Sequence, residues 1–210
     1  MSRLIRSFAV FACLLALPWL SQAEEYLEGV HYERIEPPQP TITGSKVEVR
    51  VVFWYGCPHC YRFEPYMERW LRNKPKEAQL VHMPGVFRPL WELHARAFYT
   101  MELLGVRDKL HKPLFDAMHL ERRRLDNEQA LEDFFAEHGV AREDFRKTFR
   151  SFAVETRVRQ AKLLTRRYGI DGVPAVIVNG KYRLNNGMTG GPAETLKVIN
   201  YLVKLESGGG

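Results

Sequence analysis

Two cysteines set three apart, Cys57 and Cys60, enclose Pro58 and His59 within the stretch FWYGCPHCYRFEP, Phe53 to Pro65. Such a pair can grip a metal, brace a fold or exchange electrons. A structural zinc takes four ligands, commonly from two such pairs, and the only other cysteine is Cys13. His31, His82, His94, His111, His119 and His138 show no ligand spacing, so no metal is expected. As a brace, the pair closes too small a loop to restrict the unfolded chain much.

The redox reading uses every neighbour. An apolar strand precedes Cys57 and a helix is expected to start at Pro58, which suits a first-turn position because it lacks an N–H. Cys57 then sits at the helix N-terminus, where unpaired N–H groups and the positive end of the helix dipole favour a thiolate. His59, charged or donating a hydrogen bond, favours it further. Cys60 lies one turn in and is expected to be buried and to stay a thiol. Cys57 is therefore expected to exchange disulfides and Cys60 to resolve the mixed disulfide. Stabilising the Cys57 thiolate stabilises the reduced protein. Each pKa unit adds about 1.4 kcal/mol, or about 30 mV for two electrons, so a strongly stabilised thiolate makes a disulfide donor.

The elements that position this pair follow from the apolar pattern. Residues 24–46 read as extended and irregular, with Pro37, Pro38 and Pro40 opposing a helix. Val47 to Tyr55 reads as a buried strand ended by Gly56. A helix follows, kinked at Pro65, then a second strand over Ala78 to Met83. From Arg88 to Tyr168 the texture is helical: Trp91 to Leu104, a helix starting near Asp126, and a long amphipathic one ending at Tyr168 and Gly169. Phe134, Phe135, Phe145, Phe149 and Phe152 read as core. Ala175 to Val178 and Lys181 to Leu184 form a hairpin about Asn179-Gly180, and a last helix follows Gly190-Gly191-Pro192. The expected architecture is an α/β domain interrupted by a helical insertion. The parts are 24–87 and 157–206 for the α/β domain, 88–156 for the insertion and 207–210 for a flexible tail. Gly172-Val173-Pro174-Ala175 precedes the third strand. A cis Val173–Pro174 bond there would offer the Val173 backbone to a substrate peptide; an ordinary strand-initiating proline is the alternative.

The N-terminus bounds the compartment. Arg3 and Arg6, an apolar run from Phe8 to Leu20, and Ser21-Gln22-Ala23 read as a signal peptide over residues 1–23; an uncleaved anchor is the alternative. Cleavage removes Cys13 and leaves 187 of the 210 residues, with 29 Lys and Arg against 25 Asp and Glu. A charge of +4 is mild. Arg122-Arg123-Arg124 reads as a solvated segment rather than an anion site, and no nucleic-acid partner is expected.

Cys57-Pro-His-Cys60 after an apolar strand, Gly-Val-Pro-Ala, VNGKYRLN (Val178 to Asn185) and GGPAETL resemble the DsbA family of bacterial periplasmic thiol:disulfide oxidoreductases. The resemblance covers essentially the whole chain after residue 23. It implies a thioredoxin fold with an inserted helical domain, a cis proline at Pro174, Cys57 as exposed nucleophile, Cys60 as resolving cysteine and His59 as a stabiliser of the Cys57 thiolate. It implies oxidation of reduced exported proteins in the periplasm with no bound cofactor beyond the redox-active Cys57–Cys60 disulfide, reoxidation by a quinone-linked membrane partner of the DsbB type, and a monomer. A reductase or isomerase of the same fold is a second reading. A chaperone-like peptide-binding module, with Trp54, Tyr55 and Met188 along a groove, is a third.

One departure stands out. Members of the family often carry a buried glutamate six residues before the first cysteine, thought to help move the Cys60 proton; here that position is Val51. The resolving step is therefore expected to be slower or more pH-dependent. Val51→Glu should alter the pH profile of mixed-disulfide resolution, followed by rapid mixing and acid quench; an unchanged profile rejects this reading.

Overall fold

A computed structural model describes residues 26–208; the expected signal peptide lies outside the described residues. The elements in chain order are β1 (Glu33–Arg34), β2 (Val47–Phe53), α1 (Pro58–Asn73), β3 (Ala78–Pro84), α2 (Pro89–Leu103), α3 (Arg107–His119), α4 (Glu128–Glu137), α5 (Arg142–Phe149), α6 (Phe152–Arg167), β4 (Ala175–Val178), β5 (Tyr182–Leu184), α7 (Asn186–Thr189) and α8 (Pro192–Glu206).

The strands form one mixed sheet in the order β1-β5-β4-β2-β3. β2 is an interior strand, flanked by β4 and β3, and all seven of its residues are buried. It runs parallel to β3 and antiparallel to β4, with Val51 opposite both His82 and Val176. A strand covered on both faces can be apolar throughout, which explains its Val-rich sequence. Alternation then divides its side chains. Val47, Val49 and Val51 enter one core with Phe63, Met67 and Trp70 of α1 and Ile199 and Leu202 of α8. Val52 enters the other core, which contains Phe98, Phe115, Phe134 and Phe145 of the helical block, and Phe53, where the strand ends and alternation stops, joins that core too. Glu48 and Arg50, the two charges within β2, are buried as an ion pair 2.7 Å apart. The Ile42 N–H donates to the second Glu48 oxygen at 2.8 Å.

Most expected elements are present. The Asn179-Gly180 turn joins β4 to β5, both residues having positive φ. α1 continues through Pro65 to Asn73. Phe152 is corrected: it is 81% exposed, because Ser151 caps α6 and turns the first residue of that helix outwards. α3 was not resolved from the helical texture, since its apolar positions are interrupted by Lys109, Lys112 and Pro113. The position expected to end the insertion, 156, lies inside α6.

Phe53 of β2 meets Phe98 of α2 at a ring-centroid distance of 5.4 Å and Phe115 of α3 at 5.7 Å. The helical block and the sheet thus share one core. Phe98→Ala should destabilise the protein by about 3–5 kcal/mol. Urea unfolding followed by both near- and far-ultraviolet circular dichroism should show one transition at lower midpoint; two separated transitions would mean that the block and the sheet unfold independently.

Candidate functional site

Cys57 is the N-cap of α1. Its backbone is extended, and its sulfur accepts the Cys60 N–H at 3.3 Å. The sequence sets this up in three steps. β2 ends at Phe53; the Cys57 N–H donates to the Trp54 carbonyl at 3.0 Å and closes a turn; Pro58 then starts the helix. Gly56 is required in that turn, because a Cβ there would lie 2.4 Å from the Trp54 ring.

The two sulfurs have different surroundings, as expected from their positions. Both cysteines are buried, Cys57 less so at 8% exposure against 1% for Cys60, which corrects the expected exposure of Cys57: the Val173 loop packs against its sulfur. The Cys57 pKa is lowered to about 6. The hydrogen bond from Cys60 contributes most; burial opposes it, and the backbone N–H groups of Cys60 and His59 and the His59 imidazole lower it further. The His59 ring is the last-ranked of these causes: it is exposed, and its Nδ1 lies 3.0 Å from Arg62 Nη2. Burial and the neighbouring Cys57 push the Cys60 thiol well above its ordinary value.

The Val173–Pro174 peptide bond is cis. The Cys57 thiol donates to the Val173 carbonyl at 3.4 Å, so two segments 116 residues apart in sequence meet at the reactive sulfur. Gly85, after β3, brings that loop against Val173: a Cβ there would lie 3.3 Å from Val173 Cγ1. Nearby, Trp54 stacks on Trp91 at 4.4 Å, and Phe87, 40% exposed, packs edge-on against Trp91. Trp54 Nε1 donates to His94 Nδ1 at 2.9 Å, and His94 Nε2 donates to the Leu125 carbonyl at 2.8 Å. This bond pattern is that of a neutral His94, whose pKa burial lowers.

The helical block also holds the catalytic turn. His119 Nε2 donates to the Tyr55 carbonyl at 2.7 Å, Tyr61 stacks on His119, and Tyr61 Oη donates to Asp116. Tyr55 is fully buried, with its hydroxyl 2.7 Å from His111 Nδ1. It cannot line a peptide groove with Trp54 and Met188, which corrects the third reading of the sequence. The sequence also missed a cluster of Glu64, His82 and His111 behind the pair. Glu64 stands one turn after Cys60 on α1, a spacing visible in the chain; the histidines come from β3 and α3 and gave no local signal.

A thiolate-favouring cysteine at a helix N-terminus, a buried second cysteine one turn on and a cis-proline loop against the first sulfur, all on this sheet, define a thiol:disulfide oxidoreductase of the thioredoxin fold. Residues 92–197 match the family model of the DSBA-like thioredoxin domain. The thiol:disulfide interchange protein DsbA of Pseudomonas aeruginosa is 40% identical over 186 residues, 89% of this chain and 88% of that one. That of Burkholderia cepacia is 38% identical over 84% of each. The crystal structure of Pseudomonas aeruginosa DsbA superposes with a TM-score of 0.84, covering 89% of this chain and 97% of that chain at 40% identity. The Xylella fastidiosa oxidoreductase DsbA gives 0.81 at 29% identity, covering 87% and 98%. The chain belongs to the DsbA family.

The lowered Cys57 pKa links ionisation to stability. The thiolate stabilises the folded reduced protein relative to an unfolded chain, in which cysteine ionises near its ordinary value. This stabilisation is full above that ordinary value and is lost as pH falls through about 6. Thiolate absorbance in the ultraviolet, with Cys57→Ser as blank, should titrate near 6. The reduced protein's Tm should rise relative to the disulfide form as pH increases from there. A midpoint above 8, or a pH-independent Tm difference, contradicts the assignment.

Proposed function

We propose that this oxidoreductase acts in the periplasm as a protein dithiol oxidase, donating its Cys57–Cys60 disulfide to reduced exported proteins as they fold. The observation that carries the direction is the unequal pair: a Cys57 sulfur favoured as thiolate and a Cys60 sulfur held as thiol. A stabilised thiolate favours the reduced enzyme, and hence oxidation of the substrate.

The exchange follows from these positions. A substrate thiolate attacks Cys57 Sγ, the Cys57–Cys60 bond breaks, and Cys60 leaves and takes a proton. A second substrate thiolate attacks the substrate sulfur of the mixed disulfide, and Cys57 leaves as a thiolate. The substrate dithiol loses two electrons and two protons; the enzyme gains both electrons and one proton, on Cys60, and the other proton goes to solvent. Val173, 3.4 Å from the sulfur, offers backbone groups to pair with the substrate chain beside Pro174. The Phe87–Trp91–Trp54 surface supplies apolar contact of the kind an unfolded segment exposes. A quinone-linked membrane protein of the DsbB type takes up the electrons and restores the disulfide. No helix among the described residues is long and apolar enough to cross a membrane, which fits a separate membrane partner. The enzyme works as a monomer.

The test is oxidative refolding of reduced, unfolded ribonuclease A by stoichiometric disulfide-form enzyme. Wild type should form disulfides quickly, whereas Cys57→Ser and Cys60→Ser, which cannot hold that disulfide, should form none; given scrambled, disulfide-bonded ribonuclease instead, Cys60→Ser should trap a mixed disulfide through Cys57. Rapid rearrangement of scrambled ribonuclease with negligible oxidation of the reduced protein would instead select the isomerase reading.

A further inference from the structure

Behind the cysteine pair, three elements bring together one carboxylate and two imidazoles. Glu64 projects from α1, His82 from β3 and His111 from α3. His111 Nε2 lies 3.6 Å and His82 Nε2 3.8 Å from the same Glu64 oxygen, Oε2. The three donor atoms all lie within 4.8 Å of one another. These separations are too long for hydrogen bonds, and both Nε2 atoms are buried without a hydrogen-bond partner. Buried polar atoms in native proteins are seldom left this way.

The surrounding bonds show what is missing. Tyr55 Oη donates to Met101 Sδ at 3.7 Å. In the tautomer with Nδ1 protonated, the 2.7 Å contact between Tyr55 Oη and His111 Nδ1 is a donation from the ring. That leaves the His111 Nε2 lone pair turned towards the Glu64 carboxylate, acceptor facing acceptor. A cation between them relieves this conflict.

We propose that Glu64 Oε2, His82 Nε2 and His111 Nε2 form a binding site for a divalent transition-metal ion, of which Zn²⁺ fits best. Two imidazoles and one carboxylate are a zinc donor set, whereas calcium and magnesium prefer oxygen donors throughout. With bonds of about 2.0–2.1 Å, a tetrahedral ion places its ligand atoms roughly 3.4 Å apart. Contractions of a few tenths of an ångström bring both nitrogens to that distance from Oε2. The fourth position is left to water. Tyr55 serves as the outer partner that fixes the His111 tautomer, a role that metal-bound histidines commonly require.

One contact competes with the ion. Arg107 Nη1 lies 3.3 Å from His82 Nδ1 and can only donate, which places the His82 ring proton on Nε2. Metal binding needs that proton on Nδ1 and needs Arg107 to turn away. Arg107 is about a third exposed and already bonds Asp108, so it can turn towards solvent. A cleft of about 430 Å³, lined also by Arg50, Tyr99, Glu102 and Arg157, reaches His82. An ion here would clasp the catalytic helix to the sheet and to the helical block.

Zinc chloride is titrated into the disulfide-form protein, which has no Cys57 or Cys60 thiolate to compete, and binding is followed by calorimetry. Cobalt(II) absorption in the visible region reports coordination directly. One ion per chain is expected, with a raised Tm in zinc because the ion binds the native state. Glu64→Gln, His82→Ala and His111→Ala should each weaken binding at least tenfold, and Arg107→Ala should strengthen it. Should an alanine variant fail to fold by circular dichroism, Glu64→Gln, which keeps the side-chain shape, carries the test. Absence of binding, or equal affinity in wild type and the folded ligand variants, overturns the site.

Discussion

Hydrogen bonding from Cys60 to the Cys57 sulfur, through its thiol and through its N–H 3.3 Å away, sets most of what this molecule does. It exists because Cys57 occupies the one position at which a side chain faces the unpaired N–H groups of a helix start. The same placement puts Cys60 one turn inside, where burial favours its neutral form. A common chemistry on two identical side chains is thereby split into an attacked sulfur and a leaving one. The rest of the structure keeps the turn before the helix in place.

Several layers do so. β2 is buried on both faces and delivers Phe53 to a fixed point. The turn after it is held through Trp54 by His94 and Trp91, and through the Tyr55 carbonyl by His119. These groups lie on α2 and α3, so the helical block braces the active-site turn. The buried Glu48–Arg50 pair does not contradict the apolar design of β2. Each charge faces its opposite at 2.7 Å, and the main chain of Ile42 completes the carboxylate. Removing one partner alone would leave the other buried and unpaired, which is the costly case.

Val51, six residues before Cys57, brings no charge to the site. It enters the apolar core beside α1 and α8. The carboxylate nearest in sequence to Cys60 on its own helix face is Glu64, and this is held below the ordinary carboxylate range: burial pushes it up, but His111, His82 and Arg107 outweigh burial. His82 is pushed down to about 4, by burial first, with Glu64 acting against it. Electrostatics behind Cys60 are thus set by a carboxylate and two imidazoles rather than by a carboxyl on the strand.

The chain by itself determined the chemistry of the cysteine pair. A helix N-terminus, its proline and the spacing of two cysteines are local, and local features are legible because neighbours in sequence remain neighbours in space. The Val-rich β2, the Asn-Gly hairpin and the interrupted α/β order were legible for the same reason. The meeting of Val173 with Cys57, the use of Tyr55 as a buried strut, and the convergence of Glu64, His82 and His111 were not. Each joins segments from different elements, and no periodicity records which faces will pack together. The histidines looked scattered because their spacing along the chain carries no ligand pattern. Only the parallel pairing of β2 with β3 and the packing of α3 over Phe53 and Tyr55 bring them to one carboxylate.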